Sequence, residues 1–170
     1  RLASLAQAGA PSGACVAAEW QRAERGRRGR AWQAGLGASL TFSLLWRFDQ
    51  GPGHLSGLPL AVAVAATRAL ELAGVPGVGV KWPNDLVHDW KKLGGILVET
   101  TGEMLGPTAA IVGIGLNYRL GDALARRIDQ PATDIASCGG ALPSRNALLA
   151  HLLAELVAAM DRFAQGGFAA

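Results

Sequence analysis

The stretch that most limits how this chain can fold is Glu24–Arg30, ERGRRGR. Four of its seven residues are arginines, and Gly26 and Gly29 interrupt them where a helix would need side chains. The run is therefore read as a loop, and the chain must hold it between ordered elements. Guanidiniums stay charged and offer forked donors to carboxylate or phosphate, and the intervening glycines let the backbone come close to a ligand. Such a loop suits the wrapping of a small anion. A solvated basic loop or a nucleic-acid patch accounts for the same residues, so a second site elsewhere in the chain has to decide.

Composition localises the charge. The formal net charge is +3, but Arg22–Arg30 holds five arginines against Glu24, which gives that stretch +4 and leaves −1 for the rest. A general nucleic-acid binder more often spreads its Lys and Arg over a face. The 170 residues, half of them apolar, are enough for one sizeable core and one domain. Cys15 and Cys138 are too few and too far apart for a disulfide framework or a metal knuckle, which fits a reducing compartment and makes cytoplasm the expectation. The sequence opens at Arg1 in what reads as mid-helix, without Met or a signal-peptide layout, so a fragment is expected. Leu58–Gly74 is apolar but short for a membrane span and carries Arg68 and Glu71, so it reads as a buried helix.

In chain order, Leu2–Ala10 has helical composition, Pro11–Gly13 breaks it, and Ala14–Glu19 reads as a short buried strand. Leu40–Phe48 has the β-branched and aromatic content of a strand, which sets the arginine run between two strands. Val78–Lys81 is a strand that Pro83 stops, placing Asn84 and Asp85 at a bend. Leu86–Val87 and Lys92–Glu99 form the arms of a hairpin. Gly94 and Gly95 within its second arm mark close approach by a ligand or another backbone, or else a β-bulge. Ala109–Leu116, ended by Asn117, has a central-strand pattern in which Gly113 and Gly115 face the same side, and an exposed strand edge near it would support a homodimer. Ser144 is placed as the N-cap of a structural helix running to about Phe163.

Four motifs in order, AERGRRGRAW at Ala23–Trp32, KWPND at Lys81–Asp85, KLGGILVE at Lys92–Glu99 and VGIGLN at Val112–Asn117, resemble the catalytic domain of biotin protein ligases. The resemblance covers nearly the whole chain. It implies an α+β fold, with a mixed β-sheet flanked by helices, of the class II aminoacyl-tRNA synthetase and biotin ligase kind. It also implies an ATP-dependent enzyme that makes biotinyl-5′-AMP and transfers biotin to a lysine of a biotin carboxyl carrier protein. Residues 1–170 would then be one catalytic domain, lacking the family's small C-terminal domain, its N-terminal biotin-site segment and any helix-turn-helix domain. Neither nucleic-acid binding nor membrane association is expected of it.

The resemblance also suggests roles for individual residues. Arg25, Gly26 and Arg27 would close over biotin, with Gln21 just ahead of the loop meeting it. Lys92 would set an ammonium on the biotin carboxylate and later the phosphate, and Gly95 would admit the ligand to the backbone. Arg27, Arg30, Trp32, Asn84, Asp85 and Asn117 would meet ATP, Trp32 as an aromatic wall. Arg27, Lys92 and Asp85 are the catalytic candidates, since a carboxylate attacking a phosphate needs its charge offset. Asp85 would assist the incoming lysine or bind Mg2+, which is expected to be held mostly by the phosphates. Taken singly, Trp32 also fits ordinary packing, Lys92 a solvated strand end, and Asn84 and Asp85 an Asx turn. Glu24 departs from the glycine usual at that position in the family. Lipoate ligases share this fold and chemistry, and a nucleic-acid module using the basic loop is the non-enzyme alternative.

Overall fold

In the computed structural model, residues 1–21, 26, 32, 35–102 and 106–169 are described. Six strands form one sheet: β1 (Cys15–Ala18), β2 (Ser39–Phe48), β3 (Gly79–Lys81), β4 (Asp85–His88), β5 (Lys91–Gly102) and β6 (Thr108–Asn117). Their order is β1-β2-β6-β5-β4-β3, and every ladder is antiparallel. The mixed character expected of the sheet is confined to one parallel bridge, between Lys92 and Ala132. The helices are α1 (Leu2–Gln7), α2 (Leu58–Leu72), α3 (Asp122–Ala125) and α4 (Arg145–Gly166). The architecture is thus α+β, as expected.

Alternation along the strands separates the two faces of the sheet. Phe42, Leu44, Ile96, Val112, Ile114 and Leu116 enter the main core, which α2 and α4 cover while packing on each other. Helix α2 buries Leu58, Val62, Ala65, Ala66, Ala69 and Leu70. It stops because Gly74 adopts φ +83° and the N–H groups of Gly74 and Val75 return to the carbonyls of Glu71 and Leu70, a Schellman closure. Ser144 caps α4, its hydroxyl accepting from the Ala147 N–H at 3.2 Å.

The other face is divided along its length. At one end Leu45, Ala109 and Ile111 are covered by Leu2 and Ala6 of α1. Arg47 fastens that helix, donating to the carbonyls of Ala6 at 2.7 Å and Ala10 at 2.8 Å. Beyond them the residues paired on this face are Ser43 with Gly113, Thr41 with Gly115 and Ser39 with Asn117. Along the β2–β6 pairs the side chains therefore change from apolar to small and polar just where α1 ends, with Leu97 of β5 and Val16 of β1 alongside.

Two strand expectations need correction. Ala14–Glu19 was read as buried, but β1 is an edge strand with alternating exposed and half-buried residues. The central-strand pattern of Ala109–Leu116 is borne out and the exposed edge expected near it is not, since β6 is paired along its length with β2 on one side and β5 on the other. An edge formed by β6 therefore gives no basis for a homodimer. For Ala14–Glu19 hydrophobicity was legible and neighbour order was not.

Candidate functional site

A single row of paired residues crosses the face opposite α2 and α4: Ala18, Thr41, Gly115, Gly95, Asp85 and Lys81. The two adjacent glycines at its centre leave bare backbone, and the Trp32 ring rests there. A β-carbon added at Gly115 would meet ring atoms at 2.7–3.1 Å, and one at Gly95 would meet the ring at 3.7 Å. The Trp32 indole nitrogen is buried and finds no acceptor among the described residues.

Lys92 reaches this row because β5 is irregular. Leu86 pairs with Gly94 and Val87 with Lys92, so Leu93 is an extra residue. Such a bulge breaks the alternation of side chains. Leu93 is fully buried, and the Lys92 ammonium emerges beside Asp85 and Trp32. Its Nζ lies 2.8 Å from Asp85 Oδ1 and 5.9 Å from the Trp32 ring centroid, and the two charged side chains are each about four-fifths buried (19% and 18% exposed). A partly desolvated cation held by one carboxylate can exchange that carboxylate for one on a ligand.

Gly94 and Gly95 turn out to serve different ends. A β-carbon at Gly94 would fall 2.6 Å from both the Gly115 carbonyl oxygen and Leu116 Cδ2, so Gly94 permits close backbone packing on the covered side. At Gly95 a β-carbon meets only ordinary contacts, with Trp32, Lys92 and the Asn84 carbonyl at 3.7–3.9 Å. The glycine pair therefore combines close backbone approach, a neighbouring bulge and an opening on the polar face.

Asn84 precedes β4 after the cis Trp82–Pro83 peptide. Its carbonyl accepts from the Ile96 N–H at 2.9 Å and its amide donates to the Ile96 carbonyl at 3.0 Å, fixing the bend against β5. Asn117 is buried (1% exposed) behind Lys92, with its amide donating to the carbonyls of Lys92 and Thr133. Gln21 and Gly26 are half-buried. Glu19, at the foot of the basic stretch, is ion-paired with Arg145 of α4. Arg25, Arg27 and Arg30, like Glu24, lie outside the described residues.

The structure therefore brings together Trp32, Asp85, Lys92 and Gly95, with Asn84 and Asn117 as supports beneath them. Sequence reasoning overlooked Ser39 and Thr41, which share the polar face, and the segment Pro131–Thr133, which binds the Lys92 backbone. The one local signal was Asp134, whose carboxylate accepts from the N–H groups of Ser137 and Leu120 and so anchors that segment; Asp three residues before Ser is a capping pattern.

Fold and site together define an α+β domain that presents an anchored Lys–Asp pair and an aromatic wall on the face of an antiparallel sheet opposite its two long helices, suited to an anionic small molecule. The family model "Biotin/lipoate A/B protein ligase family" matches residues 2–117. The chain is 40% identical to the bifunctional ligase/repressor BirA of Escherichia coli (strain K12), over 92% of this chain and 48% of that protein. It is 35% identical to the biotin–[acetyl-CoA-carboxylase] ligase of Mycobacterium tuberculosis, over 92% of this chain and 58% of that protein. The biotin protein ligase from Aquifex aeolicus in complex with biotin and ATP superposes with a TM-score of 0.73 at 28% identity, covering 91% of this chain and 63% of that one. The chain belongs to the biotin/lipoate A/B protein ligase family, and its fold is the class II synthetase-like fold of biotin protein ligases. It spans about half the length of the curated relatives it matches.

Proposed function

We propose that this chain carries the catalytic site of an ATP-dependent biotin–protein ligase that makes biotinyl-5′-AMP and passes biotin to a lysine of a biotin carboxyl carrier protein. The observation that carries this reading is the Asp85–Lys92 pair beside the Gly95–Gly115 floor and the Trp32 ring. The ligase names of the relatives, and the biotin and ATP bound in the Aquifex aeolicus structure, support it.

In the first step a carboxylate oxygen of biotin bonds to the α-phosphorus of ATP, the bond to the bridging oxygen breaks, and pyrophosphate leaves. Two anions must meet, so a fixed cation at the point of attack lowers the barrier. Lys92 is that cation. Biotin's carboxylate displaces Asp85 from the ammonium, and Asp85 is then free to accept a proton from the carrier lysine. In the second step that lysine's nitrogen attacks the acyl carbon and AMP departs with the shared oxygen. Arg27 and Arg30 belong on the phosphates, Arg25, Gly26 and Gln21 on biotin, and Trp32 beside both ligands.

Mg2+ enters this proposal as the counter-ion of the ATP phosphates. Among the described residues no group of three or more His, Cys, Asp and Glu side chains could hold a metal ion. Lys92 is paired with Oδ1 of Asp85, so at most Oδ2 would be left to meet the cation, and no step here depends on the metal. No helix among the described residues is long and apolar enough to cross a membrane, and a cytoplasmic setting is the one proposed.

The test is calorimetry and thermal unfolding with biotin or lipoate, each with and without ATP. Biotin plus ATP should raise the melting temperature well above either ligand alone, and biotinyl-AMP should be recovered from the mixture. A response to lipoate instead would move the chain to the other branch of its family, and a response to neither would reject the assignment.

A further inference from the structure

We infer that Asp134 is a positioning residue for Lys92: its carboxylate fastens, to the end of β6, the short segment that holds the Lys92 backbone. The inference rests on the proposed function, in which Lys92 is the cation that meets substrate. Strand β6 reaches β5 no further than the pair of Leu116 with Gly94, so Lys92 lies past its end. Segment Pro131–Thr133 continues the sheet there: the Lys92 N–H donates to the Pro131 carbonyl at 2.8 Å, and the Thr133 N–H donates to the Lys92 carbonyl at 2.9 Å. Among the described residues these two bonds, about the bridge of Lys92 with Ala132, are all of its backbone pairing with β5. A segment held by so few bonds opens easily unless it is tied down beside them.

Asp134 supplies the tie. It is buried (7% exposed), and burial of a carboxylate is costly unless its oxygens meet donors. Oδ1 accepts from the Ser137 N–H at 2.8 Å and so caps the 3-10 turn Ile135–Ser137. A turn of three residues needs no more than one such acceptor, which serine or asparagine would provide. Oδ2 has a different partner, the N–H of Leu120 just past the end of β6. One carboxylate thus joins the chain leaving the sheet to the chain that returns to it 14 residues later, through bonds strengthened by its charge. The neighbouring link between the same stretches, from the Ala136 N–H to the Tyr118 carbonyl at 3.3 Å, is neutral and longer.

Asn117 also meets the segment, its Nδ2 donating to the Thr133 carbonyl at 3.0 Å. Its Oδ1, however, is buried without a donor among the described residues, which leaves that oxygen for a donor on a ligand. Asp134 differs, because both of its oxygens are engaged by backbone N–H groups. It acts on the site through the segment, which fixes the Lys92 backbone where the bulge at Leu93 turns the ammonium toward Asp85 and Trp32.

Two variants test this. Asp134→Ala removes both acceptors; Asp134→Asn keeps the shape and one acceptor, loses a single bond, and serves if the alanine variant fails to fold. Native-state hydrogen exchange reads the segment without requiring activity. The amides of Lys92 and Thr133 are expected to exchange at least tenfold faster than in the parent, while those of Val112 and Ile114 in mid-β6 keep their rates. Brief acylation with isotope-labelled acetic anhydride, read by peptide mass spectrometry, should find Lys92 several-fold more reactive, with Lys81 and Lys91 unchanged as internal references. Biotinyl-AMP formation, measured well below the melting midpoint, should fall at least tenfold in kcat with little change in the KM for ATP. In a Lys92→Ala background the same substitutions should cost almost nothing further, because a residue acting through Lys92 has nothing left to act on.

A residue that only stabilises the fold would lower the melting midpoint and speed exchange across the sheet alike, leaving Lys92 acylation and kcat at parent values. That outcome overturns the inference, as does unchanged exchange at Lys92 and Thr133 or full additivity with Lys92→Ala. If the parent chain makes no biotinyl-AMP, the functional reading falls, while exchange and acylation still decide whether Asp134 positions Lys92.

Discussion

The Trp32 ring occupies the space that a side chain at residue 115 would need: a β-carbon built on Gly115 lies 2.7 Å from Trp32 Cε2 and 2.9 Å from Cζ2. Real β-carbon contacts are longer, so the glycine and the wall imply one another. Gly115→Ala is expected to push the ring off the sheet while the fold survives. The indole N–H resonance of Trp32, identified by its loss in Trp32→Phe, should shift in Gly115→Ala, and binding of biotin plus ATP should weaken at least tenfold. A resonance that stays in place would mean that the ring is not held by this contact.

Gly94 and Gly95 are adjacent in sequence, yet their substitution should separate stability from binding. Alanine at 94 collides with backbone and with Leu116, contacts that cannot yield cheaply. Overpacking of this kind costs about 1–3 kcal/mol. Alanine at 95 finds only ordinary contacts, so Gly95→Ala should unfold close to the parent's midpoint but bind biotin less well, because its methyl enters the face the ligand uses. Denaturant titration and calorimetry on both variants check this. Equal binding by Gly95→Ala would remove that residue from the ligand site.

Much of this arrangement was legible from residue order alone. The β-branched and aromatic content of Leu40–Phe48 and the central-strand pattern of Ala109–Leu116 gave the long strands, Gly74 gave the end of α2, and Ser144 gave the start of α4. Pro83 marked the bend at Asn84–Asp85 and the glycine pair a close approach at Gly94–Gly95, because both carry local backbone constraints, while the roles of Asp85, Lys92 and Gly95 came from the likeness of KWPND and KLGGILVE to biotin protein ligase motifs. What stayed hidden was long-range. Whether β6 is an edge depends on which strands flank it. That Pro131–Thr133 binds the Lys92 backbone depends on a pairing about forty residues away in sequence, and no local pattern records such a partner.

The buried thiol of Cys138 supplies a pH test of the core. Burial, then the nearby charges of Asp134 and Asp89, push its pKa up to about 11 from an ordinary 9.0. Above pH 9 the unfolded chain gives up this proton while the native chain keeps it, so the native state binds more protons and stability falls as pH rises. The loss runs from about pH 9 to 11 and then levels off, amounting to about 3 kcal/mol at most for a shift of this size. Chemical unfolding across that range should show a shallower decline in Cys138→Ala than in the parent, since other titrating groups are common to both. Parallel curves would show that the thiol does not carry the effect.

The Asp85–Lys92 pair makes the last prediction, because its two members should fail differently. Lys92→Ala removes the cation from the attacking carboxylate and leaves Asp85 partly buried without its partner. Both consequences oppose adenylation: transition-state charge loses a fixed donor, and the remaining carboxylate repels the substrate's. A loss on the order of 10²–10³ in kcat is expected, the size seen when one preorganised donor to a developing charge is removed. Asp85→Asn keeps the shape and leaves Lys92 unpaired, so it removes the group that competes with biotin for the ammonium. Biotin should then bind as tightly as in the parent or more tightly, while transfer to the carrier lysine slows because no carboxylate remains to take its proton. Measuring biotin affinity, single-turnover biotinyl-AMP formation and transfer separately in the two variants distinguishes these roles. If Asp85→Asn weakens biotin binding as much as Lys92→Ala does, the two residues act as one structural ion pair, and the proposed exchange of carboxylates is wrong.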